Sequence, residues 1–173
     1  MPLEGGYVLA AGHVSNLDPW ALGLEIWPRR FLRFMAKSEL FWFPLTLIIS
    51  GAGGFKVNRG RADREAIETA IELARNGNVI AMFPEGTRRK KGLRKKYEAQ
   101  AHTGAARIAL EAGVPLVPAG IKGTDGLRRL AAWRVRYGAP IEIDDLRGQE
   151  ITEAARTATD RLMAEITRLE ESL

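Results

Sequence analysis

Short apolar runs alternate along the chain with segments whose apolar positions recur every three or four residues. Residues 7–11 predict a buried strand ending at Gly12, and residues 17–26 predict a helix after it. Residues 31–36 predict a second strand and 55–57 a short third. Residues 62–75 predict a helix that Asn76-Gly77 closes as a left-handed C-cap. Residues 78–83 predict a strand that stops at Pro84, and 103–112 a helix with Gly113 behind it. Residues 114–121 predict a strand in spite of Pro115 and Pro118, and 133–137 and 141–143 predict strands near a sheet edge. The clearest helix is 151–169, where Ile151, Ala155, Ala158, Leu162, Ile166 and Leu169 share one face. Strands separated by helices predict an α/β fold, a largely parallel or mixed sheet flanked by helices. All 173 residues are expected to form a single domain. Its chemistry-bearing core is about 5–140, and its C-terminal helix about 151–171. A chain of this length buries roughly 70% of its unfolded surface without staples.

The first strand runs into Gly12-His13-Val14-Ser15-Asn16-Leu17-Asp18-Pro19. Ligands of open α/β sheets bind past the carboxyl ends of strands, which is where this block falls. Asp18 can fold back onto the His13 imidazole, fix its tautomer and stabilise its protonated form, the arrangement of a general base. The same residues also read as a capping box, with Ser15 at the helix start and Asp18 three residues on. A second block, Phe83-Pro84-Glu85-Gly86-Thr87-Arg88, also follows a strand. Gly86 allows a tight turn and close approach to a ligand. Thr87 offers a hydroxyl, Arg88 a fork suited to phosphate, and Glu85 a carboxylate for Arg88 or for a ligand hydroxyl. The alternative is a surface turn with an exposed ion pair. In a third block, Gly53-Gly54-Phe55-Lys56-Val57-Asn58-Arg59-Gly60, Lys56 and Arg59 read either as a phosphate seat or as solvated charges on a hairpin. A fourth block, residues 114–121, carries no titratable group and reads as a stiff apolar wall or plain core. His102 stands apart from these blocks, and no metal cluster is expected.

In this order the blocks His-x-Ser-x-x-Asp-Pro, Gly-x-x-x-x-x-Arg, Phe-Pro-Glu-Gly-Thr-Arg and Val-Pro-x-Val-Pro resemble the glycerolipid acyltransferase family. The closest likeness is to its bacterial 1-acyl-glycerol-3-phosphate branch. The resemblance implies that His13 is the base and Asp18 its partner. It implies that Glu85, Gly86, Thr87, Arg88 and Arg59 form a glycerophosphate pocket, which the phosphate seat at Lys56 would join. It implies acyl transfer from a thioester, acyl-CoA or acyl carrier protein, to the free hydroxyl of a lysophospholipid acceptor, 1-acyl-glycerol-3-phosphate, giving phosphatidic acid. No cofactor is expected beyond the thioester substrate. Alternatives are a family member with another acceptor and a silent domain that only binds lipid. The chain differs from the usual family pattern in Gly12 where Asn precedes the histidine, in a lead of about a dozen residues before His13, and in Ala101-His102 where Phe-Lys is common. For the tetrahedral oxyanion, backbone N–H groups near Leu17 are candidate donors.

With no cysteine, a disulfide scaffold, a Cys-based zinc site and a catalytic thiol are excluded. No apolar run is long enough to span a bilayer, and Met1 to Gly6 does not read as a signal peptide. A net charge of +5 points to an anionic partner. Trp20, Trp27, Phe31, Phe34, Phe41, Trp42 and Phe43 cluster with Arg29, Arg30, Arg33 and Lys37, and residues 40–49 are nearly all apolar. Such a segment either lies in a membrane interface or forms core. The resemblance implies a membrane-associated enzyme, expected as a peripheral protein on the cytoplasmic side of the cell membrane, with an anionic membrane surface as partner. The basic run at 88–96 could attract an anionic lipid, coenzyme A phosphates or an acidic carrier protein. The rival from another class is a non-catalytic basic nucleic-acid-binding domain, but no nucleic acid is expected. The aromatics lie among aliphatics rather than within the densest basic run.

Overall fold

The strands and helices run in the order that the apolar periodicity predicts, with one helix added and one strand missing. A computed structural model describes residues 4–24, 26–57, 63–86, 101–125 and 132–173. The elements run β1 (Tyr7–Ala11), α1 (Asp18–Leu24), β2 (Leu32–Lys37), α2 (Leu45–Gly51), β3 (Gly54–Val57), α3 (Asp63–Arg75), β4 (Val79–Met82), α4 (Gly104–Ala112), β5 (Leu116–Lys122), β6 (Arg134–Tyr137) and α5 (Ile151–Glu171). One six-stranded sheet has the order β3-β2-β4-β1-β5-β6. β1 lies between β4 and β5, parallel to both, with Ala10 opposite Met82 and Ala11 opposite Ala119. Among the described residues only β6 is antiparallel, pairing with β5 at the edge. Residues 141–143, expected as a further strand, make a single bridge from Ile141 to Leu116. Their short apolar pattern goes instead to packing: Ile143 is core.

β1 is fully buried because the pleat sends its residues to two cores. Val8 and Ala10 meet the small side chains of α3, α4 and α5, among them Ala70, Ala106 and Ala158. Tyr7, Leu9 and Ala11 face a second core completed by Leu22 and Ile26 from α1 and its exit. α3 ends where the periodicity predicts, in a bond from the Asn78 N–H to the Leu73 carbonyl. α5 starts at Glu150, whose carboxylate accepts the N–H groups of Thr152 and Glu153 at 3.0 Å. α2 is a helix that periodicity did not predict. It buries none of its seven residues, and Leu47 and Ile48 are 67% and 55% exposed.

Candidate active site

β1, β4 and β5 are adjacent and parallel, so the loops after them emerge together at one end of the sheet. His13 follows β1 and Phe83 follows β4. The register places them side by side, and their rings stack with centroids 4.3 Å apart. The turn at residues 13–18 then folds Asp18 back. His13 Nδ1 donates to Asp18 Oδ2 at 2.7 Å, and the N–H groups of Val14 and Ser15 donate to the same oxygen at 2.8 Å. Ser15 Oγ accepts the Leu17 N–H at 3.2 Å. One carboxylate oxygen of Asp18 therefore makes the contacts that both readings call for, accepting the Ser15 N–H at the helix start and holding the imidazole.

Asp18 is completely buried, while the His13 side chain keeps 19% of its surface exposed. Burial pushes the Asp18 carboxyl up. The hydrogen bonds from His13, Thr124, Ser15 and Val14 outweigh it and leave the carboxyl below its ordinary value. The group is therefore an anion at neutral pH. With Nδ1–H committed to that anion, Nε2 is the imidazole nitrogen left to take a proton. Thr124, which the sequence reading passed over, donates its hydroxyl to Asp18 Oδ1 at 2.6 Å. The only signal for it in the sequence was its place just beyond the strand that follows the Val-Pro-x-Val-Pro block.

The Val14, Ser15 and Leu17 N–H groups already have acceptors, and the Asp18 N–H donates to the Ser15 carbonyl at 3.3 Å. These four N–H groups are therefore committed within the turn rather than offered to an oxyanion. Glu85 and Gly86 lie on the turn after β4, with Glu85 buried and Gly86 at φ +65°. His102 is part of this site rather than apart from it. Its N–H donates to the Pro84 carbonyl at 2.7 Å, and its ring lies against Gly86, where a β-carbon would come within 2.5 Å. Lys56 is exposed at the same end of the sheet but on the outermost strand. Three strand spacings separate β3 from β1, about 14 Å. The structure therefore joins His13, Asp18, Glu85 and Gly86 but does not bring Lys56 among them. Arg59, Thr87 and Arg88, and the basic run at 88–96, lie outside the described residues. Among the described residues no cluster of His, Asp or Glu could hold a metal ion.

The first turn of α1 leads from Asp18 into an apolar cleft of about 270 Å³ lined by Trp20, Leu24, Trp27, Phe31 and Phe34. Trp42 and Phe43 are 58% and 80% exposed, so the aromatic segment is largely surface rather than core. Among the described residues no helix is long and apolar enough to cross a membrane.

A family model described as Acyltransferase matches residues 1–122. The 1-acyl-sn-glycerol-3-phosphate acyltransferase of Bacillus subtilis (strain 168) is 29% identical over the whole chain and 85% of that protein. The enzyme of the same name from Cocos nucifera is 34% identical over 68% of the chain and 40% of its own length. The crystal structure of the 1-acyl-sn-glycerophosphate (LPA) acyltransferase PlsC from Thermotoga maritima has the same fold. Its TM-score is 0.64 at 24% identity, covering 96% of this chain and 67% of that one.

Proposed function

The chain belongs to the acyltransferase family, and on that premise we propose that it moves an acyl group from a thioester to the free hydroxyl of 1-acyl-glycerol-3-phosphate, with His13 as the base. It is an O-acyltransferase, and phosphatidic acid is its product. The observation that carries the residue assignment is the Nδ1 of a partly exposed histidine held at 2.7 Å by a buried carboxylate.

His13 Nε2 takes the proton of the acceptor hydroxyl as its oxygen attacks the thioester carbonyl carbon. The imidazolium so formed lies between the Asp18 anion and the face of Phe83, and both favour positive charge. The tetrahedral intermediate collapses, the carbon–sulfur bond breaks, and the leaving thiolate recovers the proton from His13. An ester and a thiol result, and the base returns to its starting state. No acyl-enzyme is needed, and Ser15 spends its oxygen on the Leu17 N–H. Glu85 and Gly86 fit the wall of the acceptor's glycerophosphate site, because the turn they form opens beside His13. Either acyl-CoA or acyl carrier protein can serve as donor. The exposed apolar residues of α1 and α2 and the basic side chains of residues 29–33 support peripheral attachment to an anionic bilayer.

The test is thiol release from an acyl thioester in the presence of lysophosphatidic acid. His13→Ala lowers turnover about 10²- to 10⁴-fold. Near-normal turnover in a folded His13→Ala protein would remove the base.

A further inference from the structure

All three groups donating to Asp18 Oδ2 come from the short segment that carries His13 itself: its Nδ1 and the N–H groups of Val14 and Ser15. They hold the carboxylate through one oxygen only, and because rotation about its last bond is soft, a donor at the second oxygen adds restraint against turning. The other oxygen, Oδ1, accepts the Thr124 hydroxyl at 2.6 Å, across 106 positions of sequence. Both ends of this bond are sealed from solvent, Asp18 at 0% and Thr124 at 1% exposure. Thr124 lies two residues beyond β5, the neighbour of β1, so the same end of the sheet delivers both groups. Gly123 makes the approach possible. Its φ is +91°, and a β-carbon there would stand 2.3 Å from the Ala132 carbonyl oxygen.

We propose that Thr124 is a positioning residue of the acyl-transfer site, whose hydroxyl sets the orientation of the Asp18 carboxylate and through it that of the His13 imidazole. Removing the hydroxyl leaves a buried charged oxygen without that donor. The carboxylate is then restrained at Oδ2 alone and turns more freely, and turning moves Oδ2 away from Nδ1. The effect falls on turnover rather than on acceptor binding, because Thr124 reaches the reacting atoms only through Asp18 and His13. The inference rests on His13 being the base.

The experiment is steady-state thiol release from palmitoyl-coenzyme A with oleoyl-lysophosphatidic acid as acceptor, with thermal melts of every variant. Thr124→Val keeps the shape and loses the donor, and Thr124→Ala takes its place if the valine variant does not fold. Either lowers kcat about tenfold or more while leaving acceptor KM nearly unchanged. Thr124→Ser keeps the donor and restores most of kcat. Adding Thr124→Val to Asp18→Ala changes kcat no further, since the only route for the effect is already gone. Three results overturn the assignment: wild-type kcat in Thr124→Val, a serine variant as slow as the valine one, or an additive loss in the Asp18→Ala background. Undiminished turnover in His13→Ala overturns the base and this role together. Loss there with wild-type kcat in Thr124→Val overturns the role of Thr124 alone.

Discussion

Asp18 shows how much one side chain can be asked to do. Its burial alone would favour the neutral acid, yet four hydrogen bonds favour the anion and win. A carboxyl whose value is lower in the folded state stabilises the fold above the unfolded value, about 3.9, and loses that contribution as pH falls through the lower folded one. The stability gap between the wild type and Asp18→Asn is therefore full at pH 7 and shrinks in acid below about pH 4. Urea unfolding of both proteins at several pH values checks this; a gap that widens in acid contradicts it. Gly86 makes a second prediction. At φ +65° any other residue is strained, and a β-carbon would also displace the His102 ring. Gly86→Ala costs about 1–2 kcal/mol from backbone conformation alone. Replacing His102 with Ala in the same protein recovers the steric part but not the conformational part, as chemical denaturation of the two variants will read.

At the level of elements, α5 and α2 obey opposite logic. α5 has one apolar face, and Leu162 and Ile166 on that face are fully buried against the sheet. Leu162→Ala lowers stability by about 2–5 kcal/mol, the cost of lost transfer plus the cavity. Acceptor KM in the folded fraction stays unchanged, because α5 packs on the face of the sheet and not at the end that carries His13. α2 is apolar yet has no fully buried residue, and its Leu47 and Ile48 are exposed, so tertiary packing in water does not account for those two side chains. Leu47→Ser with Ile48→Ser should therefore shift stability by no more than about 0.5 kcal/mol. The same pair should weaken association with lipid vesicles, and a loss of several kcal/mol in the unfolding curve would show that α2 is core after all.

At the scale of the whole molecule, the proposed attachment to a bilayer combines two kinds of attraction with different salt responses. Basic side chains near a surface contribute about 1 kcal/mol each, and salt at 1 M cuts their reach to roughly 3 Å. Inserted aromatics are indifferent to salt. Vesicle flotation should therefore show binding to anionic vesicles that weakens but persists at high salt. Trp42→Ser with Phe43→Ser should remove the persistent part, while turnover on a short-chain soluble acceptor survives. Failure to float with anionic vesicles at low salt would contradict attachment through this surface.

Apart from α2 and residues 141–143, the order of strands and helices was legible in the sequence, as were the buried β1, the C-terminal helix and the pairing of His13 with Asp18. Each depends on interactions within a few residues or on a period that repeats. Asp18 meets His13 through one turn of chain, so spacing alone could suggest it. The strand expected at residues 141–143 was not decided locally, since two isoleucines around Glu142 fit a strand or a packed loop equally well. The contact of Phe83 with His13 depends on β4 lying beside β1, and that of Thr124 with Asp18 depends on β5 lying on the other side. Neither adjacency leaves a periodic trace. The exposure of Trp42, Phe43, Leu47 and Ile48 is equally nonlocal, because apolar character announces burial and only the packed sheet shows which side chains find no partner. Local patterning determined most of the elements and the pairing of His13 with Asp18. The tertiary structure decided which loops meet at the end of the sheet, because strand order is set by how whole faces are buried rather than by any one segment.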